Sequence, residues 1–179
     1  MTPLAAALLT TLAVLQEPAP SRPAIEKKQV SAFGLTVHFL TIPWGPNTFA
    51  AMEEGGESFY ASRTWPFARM QTTVPMALDG TTVPPGNYAL VFHPNTPDKK
   101  GMSLEVRGIA VEEFLVPGSV MTRTPDGDAV ARTPAVFETV AEGAITLDVG
   151  LRPRDGGTSL VIRYGDRRLV KELLRVRAP

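Results

Sequence analysis

Two turn motifs stand close together between residues 74 and 92, and they constrain the fold more than any other part of the chain. Asp79-Gly80 is suited to the positive φ angles of a type I′ hairpin turn, and Pro85-Gly86 is suited to a type II turn with its glycine in the left-handed conformation. The residues around both turns are mostly aliphatic, aromatic or β-branched, as in strands. Two chain reversals at this spacing predict short antiparallel strands.

Apolar alternation along the rest of the chain predicts further strands. Leu35, Val37 and Phe39 alternate with Thr36 and His38, a period of two that is typical of a strand with one buried face. Strands are predicted over residues 29–42, 58–64, 68–78, 81–83, 87–93, 102–107, 145–149, 158–164 and 168–176. Short strands at roughly ten-residue spacing predict an all-β, mainly antiparallel single domain, either a β-sandwich or an open barrel.

The connections between these strands complete the fold prediction. At most one or two short helices are expected, the first capped by Asn47 and ended by Gly55-Gly56. Trp65-Pro66 is predicted to break the chain between two strands. Residues 109–116 fit either a strand or one helical segment, and residues 117–134 form the longest irregular stretch.

The chain of 179 residues, with 44% hydrophobic residues, is long enough for one domain with its own core. Residues 1–15 contain an apolar run of the length found in signal peptides, although no Lys or Arg precedes it; the alternative is a buried N-terminal strand or helix. Residues 16–24 are rich in proline and predict an extended tether, so the β-sandwich domain is expected over residues 25–179. The absence of Cys excludes disulfides but allows an oxidising compartment. Export, to a periplasm or to the outside of the cell, is therefore predicted.

The charge distribution argues against nucleic acid as a partner. The 18 Lys and Arg residues balance 18 Asp and Glu residues, so no overall field attracts polyanions. The C-terminal segment 163–177 is locally basic and contains Arg163, Arg167, Arg168, Lys171, Arg175 and Arg177. It allows weak contact with an anionic surface, but the favoured interpretation is a basic edge strand that discourages pairing with another sheet.

Two stretches of the chain resemble a known family. Residues 83–90, Val-Pro-Pro-Gly-Asn-Tyr-Ala-Leu, with Asp79-Gly80 before them, are similar to a passage of the exported bacterial family catalogued as domain of unknown function 2911. Residues 145–164 resemble the closing strands of that family. The family usually carries Trp-Arg-Thr-Gly-Ala-Asn-Glu before the hairpin, and this chain keeps only the pair Arg63-Thr64 of that motif. The resemblance implies a fold and an exported location, but no activity.

The candidate ligand-binding residues are Trp44, Tyr60, Arg63, Trp65 and His93. Aromatic rings on loops at the rim of a sandwich can stack on a sugar or a peptide. The favoured alternative is that these aromatic side chains are buried at the end of the hydrophobic core of the sandwich. Arg63 belongs to the Arg-Thr pair kept from the family motif, and His93 follows a strand and opens a loop, where functional side chains often lie.

Catalysis is the competing class of function. His38 and His93 are the only histidines, and a metal site would need both of them plus a carboxylate. The chain has no Cys and no Gly-x-Ser-x-Gly motif, and its adjacent Glu residues are typical of solvated surface. No catalytic residue, metal or cofactor is therefore predicted. The sequence favours a non-catalytic binding or structural module; the alternative is a small metal-assisted or carboxylate-dependent hydrolase that uses His93 and an acidic neighbour such as Asp98.

Overall fold

The computed structural model describes residues 23–54, 64–95, 101–109 and 127–176. Within these ranges the chain forms strands joined by turns and one short helix, so the predicted all-β class is confirmed. The elements are β1 (Lys27–Ala32), β2 (Leu35–Leu40), α1 (Pro46–Glu54), β3 (Trp65–Thr72), β4 (Met76–Leu78), β5 (Thr81–Val83), β6 (Gly86–Pro94), β7 (Met102–Gly108), β8 (Ala129–Ala135), β9 (Glu138–Arg154) and β10 (Gly157–Arg175). The predicted leader lies outside the described residues, as do most of the tether and nearly all of the predicted strand 58–64 and the ambiguous segment 109–116.

The strands form two antiparallel sheets that pack face to face. One sheet has six strands in the order β1-β2-β3-β6-β7-β8, and the other has four in the order β5-β4-β10-β9. Leu90 and Leu104 of the first sheet and Ile162 and Leu173 of the second are almost completely buried in one common core. The sheets also approach each other at their edges, where β1 lies beside β9 and β5 lies beside β8. The molecule is thus a β-sandwich whose edge strands are largely covered, which limits pairing with other chains.

The first predicted turn is confirmed. Asp79 and Gly80 have φ angles of 45° and 82°, as a type I′ turn requires, and they join β4 to β5 with Leu78 paired to Thr81. Aspartate and glycine are both among the residues that take these angles at low cost. The local sequence therefore suffices to place this hairpin.

The second predicted turn is wrong. Gly86 is not in the left-handed region; it begins β6 and pairs with Thr72 of β3 in the six-stranded sheet, whereas β5 belongs to the four-stranded sheet. Pro84 and Pro85 therefore carry the chain from one sheet to the other instead of reversing it within a hairpin. A Cβ at this position would lie 3.0 Å from the Tyr88 hydroxyl oxygen, so a larger residue here would crowd that side chain. That hydroxyl donates a hydrogen bond to the Pro84 carbonyl oxygen at 2.7 Å and fixes the crossover.

The strand predicted over residues 29–42 is two strands. Phe33 and Gly34 have φ angles of 50° and 80° and reverse the chain between β1 and β2. A phenylalanine in the left-handed conformation is rare, because its Cβ crowds the backbone there. Sequence reasoning missed this turn because only Gly34 is a turn-forming residue.

Two prolines that were expected in irregular chain lie within strands. Pro66 belongs to β3, where the pairing register with β6 shifts between Pro66 and Ala68, so the predicted break at Trp65-Pro66 is wrong. Pro134 belongs to β8, an edge strand of the six-stranded sheet, so the predicted irregular stretch ends before residue 129. Bulges and edge strands are the places where a sheet tolerates the missing N–H of proline.

Helix α1 begins two residues earlier than predicted. It starts at Pro46, and the Gly45 carbonyl oxygen accepts the first helical hydrogen bond from the Phe49 amide at 3.0 Å. Proline is favoured at the first helical position because its fixed φ suits the helix and its missing N–H would be unpaired there. Asn47 is therefore inside the helix rather than its cap. The predicted end at Gly55-Gly56 lies outside the described residues. In the part of the chain that the structure describes, no helix is long and apolar enough to cross a membrane.

The basic C-terminal strand is not an edge strand. β10 runs without interruption from Gly157 to Arg175 through a bulge at Gly165, and it lies between β4 and β9. The predicted role in protecting a sheet edge is therefore wrong. Carboxylates of other segments pair with several of its cations: Arg163 with Asp148, Arg167 with Glu53, Arg168 with Glu138, and Lys171 with Asp79.

Candidate functional site

A cavity of about 240 Å3 lies between the two sheets at the end where α1 packs. The six-stranded sheet contributes Phe67 of β3 and Phe92 of β6, and the four-stranded sheet contributes Leu147 of β9 and Tyr164 of β10. The remaining lining residues are Ile42, Pro43, Gly45, Thr48, Phe49, Met52, Trp65 and Pro66. No charged side chain of the described segments belongs to this lining. The cavity is therefore a predominantly apolar, aromatic space.

Aromatic rings that pack on one another build the wall of this cavity. Phe67 and Phe92 stack with ring centroids 4.3 Å apart, and Phe92 also contacts Phe137 edge-on at 5.4 Å. Phe49 of α1 meets the same Phe137 ring at 4.9 Å and so fixes the helix against the sandwich. Offset and edge-on pairs stabilise an aromatic wall beyond the burial of area alone.

The hydroxyl of Tyr164 is held at the edge of the cavity. It donates a hydrogen bond to the Pro43 carbonyl oxygen at 2.7 Å, which joins β10 to the segment that follows β2. Burial raises the pKa of this phenol, and the backbone amide of Gly45 partly offsets the effect. Tyr164 is therefore a neutral hydrogen-bonding group at physiological pH.

The segment after β2 is fastened to β9 by backbone hydrogen bonds. The Trp44 amide donates to the Ile145 carbonyl oxygen at 2.9 Å, and the Leu147 amide donates to the Ile42 carbonyl oxygen at 2.8 Å. These bonds join the two sheets at one edge and place Trp44 beside the Gly165 bulge. The indole of Trp44 lies edge-on to Tyr164, with ring centroids 4.6 Å apart.

The structure places the predicted ligand-binding residues in different surroundings. Trp65 lines the cavity, whereas Trp44 packs behind it against Phe49 and Tyr164. Tyr60 and Arg63 lie outside the described residues. His93 follows Phe92 at the same end of the sandwich, but consecutive strand residues point to opposite faces, so its side chain lies on the outer face of the six-stranded sheet. The two tryptophans and His93 therefore do not share one site.

His93 belongs to a cluster of polar side chains around the carboxylate of Glu105. This carboxylate is completely buried, and its oxygens contact His93 Nδ1 at 3.3 Å, Arg107 Nε at 2.6 Å and a guanidinium nitrogen of Arg132. β6, β7 and β8 supply these residues, so the cluster joins three adjacent strands on the face opposite the core. A buried carboxylate needs such partners, because an unpaired charge away from water is very costly.

His38 does not join this cluster. It lies on β2, and β3 separates it from the strand that carries His93. Burial and, to a lesser degree, the neighbouring Arg69 guanidinium lower the pKa of His38 below its usual value of 6.5. Among the segments that the structure describes, no three His, Asp or Glu side chains are close enough to hold a metal ion. The two histidines are thus in separate environments.

Sequence reasoning missed most of the cavity. Thr48, Phe49, Phe92 and Tyr164 come from three separate elements and share no motif. Their only common signal in the sequence is that Phe49, Phe92 and Tyr164 are aromatic residues near predicted strand or helix ends. The packing of α1 over the gap between the sheets brings them together, and no local pattern encodes that contact.

Comparisons of the chain with protein-family models, with curated proteins and with solved structures found no match. The resemblance of residues 79–92 and 145–164 to domain of unknown function 2911 therefore stays a prediction. The fold and cavity together define an all-β sandwich with an apolar site between its sheets.

Proposed function

We propose that this chain is an exported binding protein that holds a small apolar molecule in the cavity between its sheets, and that it works by binding rather than by catalysis. The observation that carries the proposal is the aromatic cavity of about 240 Å3. Ligand sites are commonly concave, mostly apolar and supplied with few polar groups. An engineered apolar cavity of about 150 Å3 already binds benzene, so this space suits a molecule of one or two rings.

Export is supported by the apolar run within residues 1–15 and the proline-rich segment that follows it. A small, uncharged ligand can also reach an exported protein by crossing membranes. The location and the cavity are therefore compatible with capture of a diffusible apolar compound.

Titration with naphthalene tests the proposal. We expect naphthalene to raise the melting temperature, because a ligand that binds only the native state stabilises it, and to shift the NMR signals of Thr48 and the Trp65 indole. Thr48→Phe places a ring in the cavity and should weaken binding at least tenfold. Asn47→Phe adds the same ring on the exposed side of α1 and should bind like the wild type. Unchanged melting temperature and unchanged NMR signals in the wild type would reject the proposal.

A second candidate function is hydrolysis at His93, and the position of Glu105, with an oxygen 3.3 Å from His93 Nδ1 but not hydrogen-bonded to it, favours this function. A carboxylate at Nδ1 can orient an imidazole so that Nε2 serves as a general base. Ser103 lies directly across from His93 in the pairing of β6 with β7, and its hydroxyl donates to Asn95 Oδ1 at 3.1 Å. Against catalysis, two arginines also bind Glu105, as expected of a structural carboxylate.

A fluorophosphonate probe distinguishes the two candidates. Hydrolysis at this site predicts covalent labelling of the wild type that Ser103→Ala and His93→Gln abolish. The binding proposal predicts no labelling at Ser103, together with full retention of naphthalene binding in both variants.

A further inference from the structure

The polar groups of the cavity are few and are gathered at one corner. A Cβ at Gly45 would lie 3.7 Å from Thr48 Oγ1 and 4.0 Å from the Tyr164 hydroxyl oxygen, so both hydroxyls flank this glycine. The Tyr164 hydroxyl already donates its proton to the Pro43 carbonyl oxygen. Among the described residues, Thr48 Oγ1 has no hydrogen-bond partner. The Thr48 hydroxyl is therefore free to donate to a ligand or to accept from one.

The other side chains of the lining are aliphatic, thioether or aromatic. Phe67, Phe92 and Leu147 are at most 5% exposed and form the deep wall. A carboxylate or an ammonium group placed there would lose its water and meet no opposite charge from the described residues, which is strongly unfavourable. An uncharged ring system would be buried without this cost.

On the basis of the proposed binding function, we infer that the ligand is an uncharged molecule of one or two rings that carries a single hydroxyl or carbonyl oxygen. The rings fill the space between Phe67, Phe92 and Leu147, and the oxygen meets the Thr48 hydroxyl beside Gly45. Buried polar groups discriminate between ligands because a partner that cannot complete the hydrogen bond leaves them unsatisfied. Phenolic compounds and small cyclic ketones have this chemistry.

Three matched ligands test the inference by calorimetry at neutral pH: naphthalene, 2-naphthol and 2-naphthoate. They share one ring system and differ in having no oxygen, one uncharged oxygen or a carboxylate. We expect the wild type to bind 2-naphthol about three- to tenfold more tightly than naphthalene, because one additional hydrogen bond increases affinity by about that factor. We expect 2-naphthoate to bind at least tenfold more weakly than 2-naphthol.

Variants at position 48 locate the hydrogen bond. Thr48→Val keeps the shape of the side chain and should bind both uncharged ligands equally, whereas Thr48→Ser keeps the hydroxyl and the preference for 2-naphthol. Thr82→Val makes the same change on the exposed strand β5 and should behave like the wild type. The naphthalene affinity of Thr48→Val serves as its internal control for an intact cavity.

The outcomes separate this inference from the function on which it rests. If the wild type binds none of the three ligands, the binding function itself fails. If naphthalene binds but 2-naphthol binds no more tightly, or if Thr48→Val keeps the preference, the inferred oxygen contact is wrong while the binding function stands. Tight binding of 2-naphthoate would overturn the inferred neutrality of the ligand.

Discussion

The indole ring of Trp44 occupies the place where a side chain at position 165 would lie. Gly165 has a φ of 60°, and a Cβ added to it would overlap the indole carbons. Two independent constraints therefore require glycine at this bulge: the left-handed backbone and the close approach of the ring. The position of Trp44 behind the cavity depends on both.

Gly165→Ala should lower the free energy of unfolding by about 3 kcal/mol, because it combines the strain of a left-handed alanine with overpacking. Gly150→Ala is the matched control, since a Cβ on this β9 residue meets nothing within 4 Å and its φ is not positive. We expect the control to stay within about 1 kcal/mol of the wild type. Urea denaturation followed by tryptophan fluorescence measures both. Equal stability of the two variants would show that Trp44 can move away from the bulge.

At the scale of elements, the β1–β2 hairpin contains a residue that its turn does not favour. Phe33 adopts a φ of 50° and is 45% exposed, so it carries backbone strain and buries little surface in return. Asparagine takes this conformation more readily than other residues with a side chain.

Phe33→Asn should therefore raise the free energy of unfolding by about 0.5–1 kcal/mol. Phe33→Ala removes the same ring without the preference for the left-handed conformation, and it should be the less stable of the two variants. Chemical denaturation of the three proteins tests the order. A loss of stability in Phe33→Asn would mean that the ring makes contacts worth more than the strain.

A polar cluster ties the β4–β5 turn to two other strands. Asp79 accepts hydrogen bonds from Thr133 of β8 and, at 3.2 Å, from Lys171 of β10, whose ammonium group also donates to Thr133 Oγ1 at 2.6 Å. The hydrogen bond from Thr133 lowers the pKa of Asp79 below its usual value of 3.8, and the Lys171 ammonium group lowers it further. Burial raises the same pKa and offsets part of this effect. The ionised carboxylate therefore stabilises the edge where β5 meets β8.

This pKa shift makes stability depend on acid pH. Because folding lowers the pKa, the contribution of Asp79 is fully present above its unfolded-state pKa and disappears as the pH falls through the folded-state pKa. Asp79→Asn keeps a residue suited to the turn but cannot lose a proton. Its urea midpoint should fall less than that of the wild type between about pH 5 and about pH 2. Thr82→Val, an exposed change on β5 that alters no titratable group, should retain the wild-type dependence; equal profiles for all three proteins would contradict the assignment.

At the scale of the whole molecule, the two sheets share one core and meet at both edges, so the sandwich is expected to fold as a unit. The segment of residues 1–15 is predicted to act before folding, as a leader that directs the chain across a membrane. The proposed ligand site would then be exposed to compounds outside the cytoplasm.

Export is tested by producing the full chain in a bacterium with an outer membrane. We expect the protein in the periplasm or the medium, with an N-terminus near residue 16 by mass spectrometry. Leu8→Arg places a charge in the apolar run and should leave the full chain in the cytoplasm, because the h-region of a signal peptide must stay apolar. Ser21→Arg, in the tether, should be exported normally. Cytoplasmic wild-type protein that retains residues 1–15 would favour the buried N-terminal element instead.

The sequence by itself determined the features that depend on neighbours along the chain. Asp79-Gly80 set a type I′ turn, and the turn residues Asp155-Gly156-Gly157 between the predicted strands 145–149 and 158–164 set the β9–β10 hairpin, because the backbone angles of a tight turn are a local property. The all-β class followed from the repetition of such patterns.

Only the tertiary structure decided which sheet each strand joins and which side chains meet. A short sequence pattern does not show whether Gly86 and Pro66 end a strand or lie within one. The structure decides this through the contact of Gly86 with Tyr88 and through the pairing of β3, which contains Pro66, with β6. The cavity, likewise, exists because α1 covers the gap between two sheets. Contacts between residues distant in the chain gain their energy from burial and packing in three dimensions, and a linear pattern does not contain that information.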